Sequence, residues 1–447
     1  LEKYPRNYIL DGQQRLSAIY GVLRWNGMID EDSIYNISFD LTEKKFFPTQ
    51  IPVLNTHIPM NILFDAKNFR YFQTTLNRPE TEELLEASEV LSETFREYAI
   101  PVITVTEATV EHVASIFERI NSTGTKLTVY DLMVAATWSE KFDLRNQIDE
   151  ALNELKTKDY GDISPVAILQ LLAASNGESA NRQTIMNLRK IDSNVLTDHM
   201  EEVREALKKA VDFLINEVHI KSSDFLPYER QLVAISYAIL KKKKLSVSDI
   251  NVLKKWFWRT SFSERYRRGG EGLFDEDLLS ISSAFDNENE LDRFGVTLSD
   301  VGIKNIEFRK TSALSNAFIA LLASMRPKNL INGSYIDTGK ALSNYNKKEF
   351  HHIFPQAFLL SKGVSKTKIN SIANICMLSA EQNKIISDRK PSEYFWNLIN
   401  EHKDNCWEIF ESNLIPQEAV DAALRDDFER FIYLRSIYIS ETILKVI

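Results

Sequence analysis

The stretch His351-His352-Ile353-Phe354-Pro355-Gln356 places two adjacent histidines at the end of an apolar run, in a chain that has only 7 histidines among 447 residues. Residues 349–354 are typical of a short strand, and residues 372–378 predict a second strand after a polar loop. Residues 379–382 (Ser-Ala-Glu-Gln) form a capping-box pattern, so a helix is expected to begin there with Asn383 in its first turn. Because neighbouring residues of a strand face opposite sides, the two histidines are expected to do different jobs.

This order of residues resembles the HNH nucleases, whose ββα-metal motif has a histidine on the first strand, an asparagine in the connection and a metal ligand on the helix. The resemblance implies that His352 is the general base that takes a proton from the attacking water. It implies that His351 and Asn383 hold one divalent cation against the scissile phosphate. Asn374 would tie the loop together or orient the base. Such a site supplies the deprotonated water and the positive charge that phosphodiester hydrolysis needs.

The identity of the cation stays open at this point. Many HNH sites carry an acidic residue where this sequence has His351, and an imidazole ligand suits Mn²⁺, Ni²⁺ or Zn²⁺ better than Mg²⁺. The implied cofactor is therefore Mg²⁺, Mn²⁺ or another transition metal. His-His pairs also occur as satisfied polar groups at strand ends, so a purely structural role for the pair is the competing interpretation.

A second stretch, Asp11-Gly12-Gln13-Gln14-Arg15, lies between an apolar run (residues 8–10) and a segment with helical spacing that starts at Leu16. The pattern predicts a strand-to-helix turn. Free backbone N–H groups at a helix start and an arginine suit a phosphate, and Asp11 suits a cation or a water. An ordinary Asp-Gly turn has the same pattern.

Residues 11–16 resemble the signature of the ParB/sulfiredoxin-like domain found at the N-terminus of GmrSD-type modification-dependent restriction endonucleases and related phage-defence proteins such as the SspE group. A second signature, residues 117–127 followed by Asp131-Leu132, agrees. In that family the domain binds and hydrolyses a nucleoside triphosphate or senses modified DNA, and it is fused to a C-terminal HNH domain. The family's further segment before the Asp-Gly turn is not found, so either the chain is truncated or its numbering begins inside the domain. The nucleotide or phosphate ligands implied by the resemblance are Asp11, Gly12, Gln13, Gln14, Arg15, Asn121 and Gly124.

Composition bounds the class of protein. A chain of 447 residues exceeds what one core usually supports, so two or three domains are expected. The 2 cysteines form no CxxC pair, which argues against a disulfide framework and fits a reducing cytoplasm. No apolar run reaches the roughly 18 residues of a membrane span. With a net charge of −9, contacts to DNA must come from local basic patches.

Local patterns predict further elements. Residues 37–41 and 46–48 are expected to be strands of a small mixed sheet, residues 81–98 a charged helix, and residues 100–105 a buried strand. Thr128 with Asp131 predicts a capping box at the start of another helix.

The region from about 160 to 330 is expected to be mostly helical. Within it, residues 256–258 (Trp-Phe-Trp) are expected to be core. Arg265, Arg267 and Arg268, which lead into a glycine-rich loop, are candidates for contacts to a DNA backbone.

Together these patterns predict a predominantly helical α+β protein with a ParB-like domain (residues 1–150), a helical middle region (151–330) and an HNH nuclease domain with flanking helices (331–447). The predicted function is metal-dependent cleavage of double-stranded DNA, modified or unmodified, in restriction or phage defence, with nucleotide or modification sensing by the N-terminal domain gating cleavage. Two alternatives are a nucleotide-responsive DNA-binding sensor whose HNH-like domain does not cleave, and an enzyme whose principal activity is NTP hydrolysis. The sequence does not determine the oligomeric state.

Overall fold

The structure of the protein is a computed structural model. It describes residues 9, 12–24, 33–49, 53–76, 81–104, 116, 128–177, 179–267, 271–296, 300–309, 312–338, 350–378, 386 and 389–447. The chain divides into two compact units, unit 1 (Leu1–Lys126) and unit 2 (Leu127–Ile447).

Unit 1 combines a small sheet with helices. The bounds are α1 Gln13–Arg24, β1 Ile37–Asp40, β2 Lys45–Pro48, β3 His57–Pro59, α2 Ala66–Thr75 and α3 Glu82–Glu97. The strands are antiparallel in the order β2-β1-β3, and Phe39 of β1 pairs with Phe46 on one side and Ile58 on the other. The sheet and helices enclose a small core: Leu41, Ile58, Met60, Leu63, Phe69, Leu76 and Leu91.

Most expectations for the described part of unit 1 are confirmed. The helix after Gly12, the strands at β1 and β2, and the charged helix α3 are all present. The sheet is antiparallel rather than mixed. The buried strand expected at residues 100–105 is wrong over 100–104, because these residues are irregular and exposed, with Val102 78% accessible. Strand propensity is realised only where neighbours pair with and cover the segment.

Unit 2 is helical apart from one two-stranded sheet among its described residues. Its helices are α4 Val129–Thr137, α5 Leu144–Lys156, α6 Pro165–Ser175, α7 Arg182–Asn187, α8 Ser193–Glu217, α9 Glu229–Lys242, α10 Val247–Phe262, α11 Glu271–Ala284, α12 Asp300–Lys304, α13 Ala313–Ser324, α14 Gln356–Ser361, α15 Lys366–Ile369, α16 Pro391–His402, α17 Cys406–Ser412, α18 Gln417–Leu424 and α19 Phe428–Val446. Its strands are β4 Phe350–His352 and β5 Ile375–Met377.

Capping follows the sequence closely in unit 2. Thr128 and Asp131 form the predicted capping box at the start of α4, with the Asp131 N–H donating to Thr128 Oγ1 at 3.2 Å and the Thr128 N–H to Asp131 Oδ2 at 3.0 Å. A second capping box, Ser246 with Asp249, starts α10. A helix start is determined by residues within a few positions of one another, which is why sequence patterns predict it.

A single continuous core runs through unit 2. Helices α6 and α13 are apolar on nearly all faces and lie inside it. The ring of Phe350 packs against Phe308 (centroids 5.5 Å apart) and against Phe225 (5.8 Å), so the histidine-bearing strand shares this core with the helical middle region. Trp256, Phe257 and Trp258 are buried in the same core, as expected.

The predicted class, α+β and predominantly helical, is confirmed for the described residues. The ParB-like, helical-middle and HNH boundaries at 150 and 330 stay predictions, since compactness alone separates only residues 1–126 from 127–447. None of the helices in the described part of the chain is both long and apolar enough to cross a bilayer.

Candidate active site

The two adjacent histidines lie on a hairpin formed by β4 and β5, here called the histidine hairpin. The strands are antiparallel, with His351 opposite Cys376 and His352 opposite Ile375. The predicted pair of strands is therefore present. Strand β4 ends at His352, so the two histidines occupy successive strand positions that face opposite sides of the sheet.

The connection between β4 and β5 is helical, not the polar loop that the sequence suggested. Pro355 precedes α14, α15 follows, and a 3₁₀ turn at Ile372–Asn374 leads directly into β5. These short turns bring two asparagines, Asn370 and Asn374, back to the end of β4.

Asn374 is fully buried and binds the backbone that follows the histidines. Its Oδ1 accepts from the Phe354 N–H at 2.8 Å, and its Nδ2 donates to the Phe354 carbonyl at 3.2 Å. Its own carbonyl accepts from the Ile353 N–H at 2.7 Å. The remaining polar group, the Ile353 carbonyl, accepts from the Tyr394 hydroxyl at 2.5 Å. All backbone polar groups of Ile353 and Phe354 are thus satisfied by two residues, and the exit of β4 is rigidly held.

A buried arginine also binds the backbone of the turn that contains Asn374. Arg435, on α19, has no exposed surface and donates from Nη1 to the carbonyls of Ala373 and Ile375, both at 2.8 Å. Nη2 and Nε donate to the carbonyls of Asn413 (2.8 Å) and Leu414 (3.2 Å). Burial lowers the pKa of Arg435 to about 10, so the group remains charged at neutral pH. The guanidinium therefore clamps the residues on either side of Asn374.

His352 is half-buried, and its Nε2 is hydrogen-bonded to Asn370 Oδ1 at 2.9 Å. A carboxamide oxygen can only accept, so Nε2 carries the proton in this arrangement. In the neutral ring this leaves Nδ1 with the lone pair that can accept a proton. Burial lowers the pKa of His352, and the bond to Asn370 partly opposes that shift.

His351, the predicted metal ligand, is half-buried on the strand face opposite to His352. Its strand neighbour Cys376 donates from Sγ to the His351 carbonyl at 3.6 Å, and burial raises the pKa of that thiol to about 12. Cys376 is thus a protonated core residue rather than a ligand. The predicted second ligand, Asn383, lies outside the described residues, among which no three His, Cys, Asp or Glu side chains are grouped to hold a metal.

In unit 1 the Asp-Gly-Gln-Gln-Arg stretch begins α1 as expected. Gly12 has φ = +87°, a conformation that favours glycine, and its carbonyl accepts the first helical bond from the Leu16 N–H at 2.8 Å. Gln13, Gln14 and Arg15 form the exposed first turn of the helix. Asp11, Asn121 and Gly124 lie outside the described residues.

Two of the three arginines considered for DNA contact are engaged in ion pairs. Arg265 binds the fully buried Asp277 with two hydrogen bonds (2.8 and 3.2 Å), which raises the pKa of Arg265. Arg267 binds both carboxylate oxygens of Glu264 at 3.1 Å. Arg268 lies outside the described residues. The carboxylate of Glu264 offsets the charge of Arg267, and Arg265 has a structural partner.

Comparison with known proteins places the N-terminal part of the chain. Residues 2–138 match the family model for the N-terminal domain of the GmrSD restriction endonuclease. This N-terminal part of the chain is similar to the GmrSD family. An uncharacterized protein of Methanocaldococcus jannaschii is 26% identical over 517 aligned positions, covering 99% of this chain and 85% of the relative. No solved structure matches.

The sequence resemblance of the N-terminal part to GmrSD restriction endonucleases is thus confirmed. The GmrSD match ends at residue 138, before the histidine hairpin. Sequence reasoning did not predict the hydrogen bonds with which Asn370, Arg435 and the Tyr394 hydroxyl support the hairpin. Their bonds to the hairpin span 18 to 62 residues of sequence, so no local spacing pattern could have found them.

Proposed function

We propose that this chain, whose residues 2–138 match the N-terminal domain of the GmrSD restriction endonuclease, is a metal-dependent endonuclease that cuts double-stranded DNA in a restriction or phage-defence system. The observation that carries the proposal is the His352–Asn370 hydrogen bond, made on a hairpin whose exit is held by Asn374. It gives one histidine of the pair a defined tautomer at the edge of the sheet. A histidine with a free, oriented ring nitrogen is what a general base requires.

In this proposal His352 accepts a proton from the attacking water at Nδ1. Asn374 does not touch the reacting atoms and acts by fixing the backbone after His352. His351 and Asn383 would hold the divalent cation. When bound, that cation would offset negative charge on the phosphoryl oxygens.

The N-terminal domain is proposed to gate cleavage by sensing a nucleotide or a DNA modification. Support comes from the family match and from the helix start at Gly12, where backbone N–H groups and Arg15 are suited to a phosphate. Under this proposal Arg15→Ala weakens nucleotide binding or phosphate release, whereas Arg24→Ala, at the other end of α1, leaves both unchanged.

The test of the nuclease proposal is nicking of a supercoiled plasmid in the presence of Mg²⁺, Mn²⁺, Ni²⁺ or Zn²⁺. We expect wild-type protein to nick, and His352→Ala to lose nicking while retaining DNA binding in a gel-shift assay. His199→Ala, which removes a half-buried histidine from α8, is the matched control and should nick like wild type. Equal nicking by wild type and His352→Ala would end the proposal.

A second candidate is a nucleotide-responsive DNA-binding sensor whose hairpin does not cleave. The net charge of −9 and the imidazole in place of a carboxylate at position 351 favour it. Tight binding of DNA with no nicking by wild type under any of the four metals, with and without nucleotide, would favour the sensor. Comparing modified with unmodified plasmid in both assays identifies what is sensed.

A further inference from the structure

We propose that Asn370 is the positioning residue for His352: its carboxamide oxygen fixes the imidazole in the Nε2–H tautomer and so directs the basic Nδ1 at the water. This inference rests on the proposed nuclease function for its catalytic consequence, although the tautomer itself can be measured without any activity. The carboxamide oxygen is 2.9 Å from Nε2 and cannot donate, so only the Nε2–H tautomer completes this bond.

Asn370 is held in place by its own backbone. Its N–H donates to the Lys366 carbonyl at 3.0 Å, which ends α15, and its carbonyl accepts from the Phe308 N–H at 2.7 Å. The next residue, Ser371, forms an antiparallel β-bridge with Glu307. The Ile372 N–H donates to the Ile306 carbonyl at 2.9 Å. Residues 306–308 therefore pair with residues 370–372 and hold the asparagine on a short ladder rather than on a free loop.

Both ends of the His352–Asn370 bond are attached to the same packed cluster. Phe308, which binds the Asn370 backbone, packs against Phe350, which is two residues before His352 on β4. The donor and the acceptor are therefore fixed relative to each other before any substrate arrives. A base held in this way loses little orientational freedom when it reacts.

An amide partner affects the imidazole differently from a carboxylate partner. A carboxylate partner would orient the ring and add a negative charge next to it, as in a Ser-His-Asp triad. The amide of Asn370 supplies the orientation alone. Asn374 cannot substitute for it, because both polar atoms of its side chain bind backbone groups.

The experiment uses the full chain and three variants. Asn370→Leu has nearly the same size but no acceptor, and Asn370→Asp retains the acceptor oxygen. Asn397→Leu, at an exposed position of α16, is the matched control. Nicking is measured as kcat and KM for plasmid, and the tautomer of His352 is read from ring carbon and nitrogen chemical shifts of histidine-labelled protein without DNA. The His352→Ala spectrum assigns the signal.

We expect the wild-type His352 signal to be that of the Nε2–H tautomer. Asn370→Leu should shift it toward a mixture and lower kcat roughly tenfold or more with KM little changed, a size typical of lost orienting partners. Asn370→Asp should recover most of the tautomer signal and more activity than Asn370→Leu.

A wild-type signal of the Nδ1–H tautomer would overturn the inference even if Asn370→Leu failed to fold. So would an Asn370→Leu spectrum and kcat equal to those of Asn397→Leu. Absence of nicking by wild type would instead reject the proposed function, and the tautomer measurement would then still decide the role of Asn370.

Discussion

The carboxamide of Asn374 accepts a hydrogen bond from the Phe354 N–H at 2.8 Å and returns one to the Phe354 carbonyl at 3.2 Å. This reciprocal pair joins the turn before β5 to the residue two positions after His352. It is made entirely inside the core, where neither group has access to water. The pair explains why an asparagine is needed there, because only a carboxamide offers a donor and an acceptor in one short planar group.

Replacing Asn374 by leucine is therefore expected to destabilise the protein by about 2–4 kcal/mol, since it removes the side-chain partner of three buried backbone groups: the Phe354 N–H and the carbonyls of Phe354 and Ile369. Urea unfolding measures the change. Asn397→Leu, on the exposed face of α16, should change the free energy of unfolding by less than about 0.5 kcal/mol. A loss for Asn374→Leu no larger than for Asn397→Leu would contradict the structural role.

Tyr394 makes the complementary bond, from its buried hydroxyl to the Ile353 carbonyl at 2.5 Å. Tyr394→Phe removes only that oxygen, so we expect a destabilisation of about 1–3 kcal/mol from the unsatisfied carbonyl. Tyr433→Phe, at a partly exposed position of α19, is the control and should be nearly neutral. Thermal unfolding of the two variants side by side provides the comparison.

Arg435 is a buried cation that binds carbonyls of four different residues. Arg435→Met fills a similar volume but leaves those carbonyls unpaired, and we expect it to lower the free energy of unfolding by about 3–5 kcal/mol. Arg435→Lys should rescue only part of this loss, because an ammonium group does not reproduce the planar fork. Arg430→Met, on the exposed face of the same helix, should be close to wild type. An Arg435→Met variant as stable as wild type would show that the hydrogen bonds of Arg435 contribute no net free energy to folding.

His219 provides a pH-dependent prediction. Burial, with the charges of Lys221, Arg326 and Lys254, lowers the pKa of His219 in the folded state, and Glu217 opposes the shift. The neutral ring therefore favours folding, and this contribution is lost as the pH falls from about 6.5, the unfolded value, through the lower folded value. His219→Asn should reduce the drop in melting temperature between pH 8 and pH 5. Asparagine tolerates the φ of +61° at this position. His199→Asn is the control, and an unchanged pH dependence in His219→Asn would refute the prediction.

His351 determines the expected metal preference under the proposed function. An imidazole ligand favours Mn²⁺, Ni²⁺ or Zn²⁺, whereas a carboxylate favours Mg²⁺. His351→Asp should therefore raise the ratio of Mg²⁺-supported to Mn²⁺-supported nicking severalfold, even if the total rate falls. A ratio equal to that of wild type would remove His351 from the metal site.

Much of the fold followed from local patterns in the sequence. The helix start at Gly12 and the capping box of Thr128 and Asp131 lie where the sequence predicts them. The two strands of the histidine hairpin are also predicted, although each is shorter in the structure than its pattern suggests. Each depends on residues within a few positions of one another, through caps, turns and apolar periodicity. The expected strand at residues 100–104 failed because a strand also depends on what pairs with it and covers it.

The sequence by itself determined that two histidines would share one strand and face opposite ways, because strand geometry alternates side chains. Only the tertiary structure determined which side chains form hydrogen bonds to the histidine strand and to the turn that follows it. Asn370 reaches His352 across 18 residues, and Arg435 reaches the turn at Asn374 across 60 or more. Such contacts arise from how helices and strands pack, and packing depends on the whole chain at once rather than on any spacing that a sequence displays.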